Sequence, residues 1–89
     1  MRAVVTVIGK DMVGILAKVA SACATADANV IEVTQSVLQD MFAMIMLVDI
    51  SKLNMEFDHF ASSIDEIGKE LSLSTHVMHE DIFNSMHRI

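Results

Sequence analysis

The sequence predicts an α+β sandwich, in which two helices pack on one face of a four-stranded antiparallel sheet and a short C-terminal helix follows. Two observations predict it. Apolar residues switch between strand and helix spacing along the chain in the order βαββαβ. The first and third strand segments are also the most continuously apolar, as the two central strands of such a sheet must be.

Ala3 to Ile8 is rich in β-branched residues and reads as the first strand. Gly9-Lys10-Asp11-Met12-Val13-Gly14 turns the chain into a helix over Val13 to Ala26, where Ile15, Val19, Cys23 and Ala26 recur at helical spacing. Lys18, Ser21 and Thr25 lie on its opposite face, so the helix is amphipathic. Asp27-Ala28-Asn29 ends it. Ile31, Val33 and Val37 then alternate with Glu32, Thr34 and Ser36, which predicts a half-buried second strand. After a Gln39-Asp40 turn, Phe42 to Ile50 is apolar almost throughout and predicts a strand buried on both faces.

The second helix is the clearest. Phe57, Phe60, Ala61, Ile64, Ile67, Gly68 and Leu71 form one stripe with polar residues between them, and Asn54 is placed to cap its start. Ser74 to His79 reads as the last strand. Asp81 is placed to cap a terminal helix, about residues 80–89, carrying Ile82, Phe83, Met86 and Ile89. Glu80 and Asp81 at its start and His87 and Arg88 at its end complement the helix dipole.

The order is that of the ferredoxin-like split βαβ sandwich. Right-handed crossovers then put strands one and three at the centre and strands two and four at the edges. The whole chain, 1–89, is expected to form one domain. On the third strand, Phe42, Met44, Met46 and Val48 point one way and Ala43, Ile45 and Leu47 the other, so neither face is polar. A terminal helix of about eight residues covers roughly half of a four-stranded sheet. A homodimer or larger assembly is therefore expected on the uncovered face.

Composition narrows the function. With 53% apolar residues the chain is expected to fold, yet no apolar run reaches the ~20 residues that span a bilayer. The single cysteine cannot form an internal disulfide, and no leader pattern follows Met1-Arg2, which points to the cytoplasm. Twelve acidic against six basic residues give a net charge of -6 and oppose direct nucleic-acid binding. No cofactor motif is present. His76 and His79, three apart on a strand, project from opposite faces and make a poor metal grip. An acylphosphatase-like enzyme of this fold would need an Arg in the first turn, where this chain offers Lys10 beside Asp11. No enzyme activity is expected.

The first turn is the candidate site. A strand, a turn with two glycines and a helix N-terminus fall in series, and the early N–H groups of a helix suit a carboxylate or another anion. The turn sequence Gly9-Lys10-Asp11-Met12-Val13-Gly14-Ile15-Leu16, the Asn29-Val30-Ile31 entry to the second strand and the ending His79-Glu80-Asp81-Ile82-Phe83-Asn84-Ser85-Met86-His87-Arg88-Ile89 resemble the ACT domain over nearly the whole chain. The nearest likeness is to the small stand-alone ACT proteins of bacteria and archaea, and more distantly to the ACT modules of the glycine cleavage system repressor.

The resemblance implies a regulatory module that binds an amino acid or similar effector between the first turn and a neighbouring subunit, with Gly9, Asp11, Met12, Val13, Gly14 and Asn29 as site residues. Serine-binding ACT domains of phosphoglycerate dehydrogenase carry a His where Gly9 stands, an Asn at Asp11 and another Asn at Asn29, and only Asn29 is retained. Asp11 would repel a carboxylate and attract an ammonium, so the compatible pose puts the amine near Asp11 and the carboxylate near the N–H groups of Val13 and Gly14. Asp11 fits equally a helix cap, and Asn29 equally a left-handed residue closing the first helix. A ligand-free protein-interaction module is the alternative reading.

Overall fold

The computed structural model describes residues 1–10 and 14–86. In chain order the elements are β1 (Arg2–Gly9), α1 (Ile15–Thr25), β2 (Asn29–Leu38), β3 (Met41–Asp49), α2 (Phe57–Leu71), β4 (Ser74–His79) and α3 (Glu80–Met86). The sheet order is β2-β3-β1-β4, and every neighbouring pair is antiparallel. The expected ferredoxin-like architecture is therefore present, with the two most apolar strands at its centre.

The core lies between the sheet and the helix pair α1 and α2. Ala3, Val5 and Val7 of β1 and Phe42, Met44, Met46 and Val48 of β3 face Ile15, Val19 and Cys23 of α1 and Phe60 and Ile64 of α2. All of these are buried. The register pairs Val5 with Met46 and Val7 with Met44, so period-2 alternation on both strands delivers one apolar face to the helices. The other face carries Val4, Thr6 and Ile8 of β1 beside Leu47, Ile45 and Ala43 of β3.

Tertiary contacts override local signals at several places. Asn54 does not cap α2, whose N-cap is Glu56 without a side-chain hydrogen bond. Its side-chain amide instead donates to the Thr25 carbonyl at 2.8 Å and to Asp27 Oδ2 at 2.9 Å, while its N–H donates to the Ala26 carbonyl. Asn54 thus closes the C-terminus of α1 by taking up carbonyls that the helix leaves unpaired. The left-handed residue after α1 is Asp27, at φ 59°, whereas Asn29 already belongs to β2.

In β2 a register shift between Val30 and Glu32 makes Ile31 the bulged residue. Val30 and Val33 face the helices, and Ile31 is 46% exposed instead of sharing their face. Asp81 lies inside α3, not at its cap, because α3 starts directly from the last residue of β4. Ile89, His87, Arg88 and the Val13 start expected for α1 fall outside the described residues.

Two contacts fix the remaining packing. Gly68 of α2 sits against β4: a Cβ there would lie 2.7 Å from Thr75 Cγ2 and 3.2 Å from the Leu73 carbonyl oxygen. The Thr75 hydroxyl in turn donates to Asp65 Oδ1 at 2.7 Å. On the outer face α3 packs against β1 and β4, and Val4 is only 4% exposed there. Arg2 holds the start of α3 through a paired contact with the Glu80 carboxylate, Nε to Oε1 at 2.9 Å and Nη2 to Oε2 at 2.8 Å.

Candidate functional site: the β1–α1 turn and the Asn29 notch

The two glycines of the first turn have different physical causes. Gly9 is buried at the end of β1, paired with Phe42, and a Cβ there would run into Leu73 Cδ2. Its small size serves the approach of the α2–β4 connection. Gly14 has φ +75°, a region that only glycine occupies without strain, and no atom of the described residues beyond its chain neighbours lies within 4 Å of where its Cβ would be. It is the N-cap of α1, it has no side chain to cap with, and its carbonyl accepts from the Lys18 N–H at 3.0 Å. The N-terminus of α1 therefore opens to solvent at Gly14, with the positive end of the helix dipole at that point. Asp11, Met12 and Val13 lie outside the described residues.

Asn29 lies elsewhere. It begins β2 and pairs with Asp49, whereas Gly9 pairs with Phe42 at the other end of β3. Seven residues of strand separate those levels, roughly 23 Å at the usual rise. One chain does not bring Asn29 and Gly14 to the same small ligand.

Asn29 instead borders a notch of about 210 Å³ lined with Asp27, Asp49, Ser51 and Lys52. Asp49 accepts from the Ser51 hydroxyl and from the Ser51 N–H at 2.8 Å. These bonds, the hydroxyl first, hold its carboxyl below the usual 3.8, and the Lys52 charge adds to the effect. Sequence reading passed over this group, although Asp49-Ile50-Ser51 after a strand is a recognisable Asx turn.

Cys23 and the two strand histidines occupy different environments. Cys23 is fully buried, and burial pushes its thiol up to about 11, so it is protonated at neutral pH. His79 turns toward the helix layer and stacks on Phe57 with ring centroids 4.2 Å apart and planes at 18°. His76 pairs with Thr6 on the outer face, so the two histidines do project oppositely. Among the described residues no three His, Cys, Asp or Glu gather closely enough to hold a metal ion. No helix among them is long and apolar enough to cross a membrane.

Comparison with known proteins agrees with this architecture. The ACT domain model matches residues 2–78. A UPF0237 protein of Clostridium acetobutylicum is 45% identical over 89 residues, covering 100% of both chains. Among solved structures, an ACT domain protein from Streptococcus pneumoniae is similar with a TM-score of 0.80, at 30% identity over 93% of each chain. A putative glycine cleavage system transcriptional repressor shares the fold with a TM-score of 0.73, at 24% identity, over 85% of this chain and 43% of that one. With the family model spanning β1 through β4 and a relative matched from end to end, the chain belongs to the ACT domain family.

Proposed function

We propose that this chain is a non-catalytic regulatory module that binds an amino acid or a similar small zwitterion at the β1–α1 turn. ACT domains are small-ligand-binding regulatory modules, and the observation that carries the reading here is the open, left-handed Gly14 at the N-terminus of α1. The ligand carboxylate takes the N–H groups of Val13 and Gly14 and its ammonium takes Asp11, with Gly9 and Met12 as the further site residues that the family resemblance implies. Since Asn29 sits roughly 23 Å away along its own sheet, its part in the site requires a neighbouring chain. Antiparallel pairing of two β2 edges would set Asn29 of one copy at the Gly14 end of the other.

Binding then alters self-association or the grip on a partner protein. The net charge of -6 argues against a nucleic-acid partner, and the single buried thiol fits a cytoplasmic setting. The whole chain acts as one domain. A ligand-free interaction module is the second reading, favoured by the exposed apolar residues Ile8, Met41 and Ile45.

A thermal-shift screen against the common amino acids separates the two. A ligand at a hundred times its dissociation constant adds about 2.7 kcal/mol, several degrees for a domain of this size. No shift with any amino acid would favour the second reading. For a ligand that does shift the transition, calorimetry on Asp11→Asn and Asn29→Ala tests the pose, with Asn29→Ala expected to weaken binding by about 1–3 kcal/mol. Unchanged affinity in both would remove the turn as the site.

A further inference from the structure

The outer face of the sheet carries an apolar groove of about 440 Å³, floored by Ile8 of β1 and Ile45 of β3 and walled by β4 and α3. His76 and Met78 of β4 and Met86 of α3 line it with one imidazole and two thioethers. Among the described residues no carboxylate, ammonium or guanidinium lines it. Met44 also borders the groove, but its side chain is fully buried on the helix side of the sheet.

The fold brings the three donors to one place. His76 and Met78 are two apart on β4, so their side chains leave the same face of the strand, with Cα atoms roughly 7 Å apart. Their partners on β1 are Thr6 and Val4, on either side of Val5, which faces the helices. Directly after β4 the chain turns back as α3, which packs on β1 and β4. From Glu80 to Met86 the helix advances roughly 9 Å, and from His79 back to His76 the strand covers roughly 10 Å. Met86 thus arrives level with His76, and both line the same groove. The Met86 side chain is 66% exposed and has three rotatable bonds, so its sulfur can swing inward without disturbing the core. Among the described residues the His76 imidazole is engaged in no hydrogen bond or ion pair.

Donor chemistry selects the ion. Thioether sulfur is soft and uncharged and favours copper(I), whereas imidazole suits copper, zinc, iron and nickel, so copper is what the two donor types share. The cost of burying an ion rises with the square of its charge, and a neutral apolar groove therefore favours a monovalent cation over a divalent one. Magnesium and calcium want carboxylate and carbonyl oxygens, and zinc wants thiolates, carboxylates or several imidazoles. The groove offers one imidazole from that set. Cys23 is buried on α1 in the opposite layer and protonated.

We propose that this groove is a copper(I) site, with the sulfurs of Met78 and Met86 and one imidazole nitrogen of His76 as the ligands. Two ligands stand on β4 and one on α3, so the bound ion ties the terminal helix to the sheet. The site is built within one chain. None of its residues belongs to the β1–α1 turn or the Asn29 notch, so it is independent of the effector reading.

Copper(I) titrated anaerobically into the full chain against the coloured chelator bicinchoninate tests the proposal. The chain should take one equivalent from the chelator, and its melting temperature should rise with the metal bound. Met78→Leu and Met86→Leu keep the size and apolar character of the wall and remove one sulfur each. Each should weaken binding roughly tenfold or more, since losing even an outer-shell partner of a metal costs that much. The double variant should bind none while its circular dichroism stays native, and Cys23→Ala should bind as the wild type does. X-ray absorption should find two sulfur neighbours and one nitrogen around the copper. Failure to draw copper(I) from the chelator overturns the site, as does undiminished affinity in the double variant. Binding lost on Cys23→Ala alone, or zinc held as tightly as copper(I), overturns it too.

Discussion

Gly9 and Gly14 look alike in the sequence, where both read as turn residues near a ligand, and packing separates them. Gly14 needs its positive φ, and none of the described residues beyond its chain neighbours crowds it. Gly14→Ala should therefore lower stability by about 1–2 kcal/mol, the cost of a Cβ in left-handed backbone, although no contact is lost. A chemical-denaturation midpoint reads this directly, and an unchanged midpoint would show that the turn relaxes away from φ +75°. Gly9 meets the flexible end of Leu73, which can rotate, and a substitution there is read as a packing shift.

Asp49 gives the residue-scale pH dependence. Its folded value is depressed, so the stability it contributes is present at neutral pH and lost as pH falls through that depressed value, below 3.8. Ser51→Ala removes the hydroxyl that is the largest cause. The Asp49 titration followed by carboxyl NMR should then move up toward the ordinary carboxylate range, and an unmoved midpoint would assign the shift to the backbone N–H and Lys52 instead.

At the scale of elements, the sequence made the helices and strands legible because each buries one periodic face. Ile15, Val19 and Cys23 repeat every four residues, and Phe60, Ile64 and Gly68 do the same. Junctions were less legible, since their partners are distant in sequence. Asn54 reads as a local cap, and its actual partners Thr25 and Asp27 lie 29 and 27 residues away. Ile31 reads as a core position until the β2 bulge moves it out. The candidate site divided in the same way: the turn was visible as a motif, whereas the distance of Asn29 from it follows from strand register, which no local pattern carries.

Gly68 tests the tertiary side of this. Gly to Ala inside a helix ordinarily adds about 1 kcal/mol of helix propensity. Here the new Cβ meets Thr75, whose hydroxyl is held by Asp65, and the Leu73 carbonyl behind it. Gly68→Ala should therefore be net destabilising, by about 1–3 kcal/mol, and a stabilised protein would mean that α2 can lift from β4 at little cost.

For the molecule as a whole, the sheet has one face finished by α1 and α2 and one finished only in part by α3. Without α3, Val4 and Met78 would join Ile8 and Ile45 on a continuous apolar surface spanning the sheet. The Arg2–Glu80 pair alone cannot hold the face closed, because both side chains are partly exposed, 46% and 25%, and such pairs contribute at most about 1 kcal/mol. α3 also places Phe83 beside Met78 along an apolar groove on the outer face, and that apolar surface is expected to contribute more. Ending the chain after Glu80 keeps the ion pair and removes that surface. Uncovering Val4 and Met78 should then cost roughly 2–4 kcal/mol, with a rise in dye binding to exposed apolar surface and a loss of solubility. Arg2→Ala, which removes the pair and keeps the helix, should lower the melting temperature far less. If the two changes proved equal, the ion pair and not the apolar face would be what anchors α3.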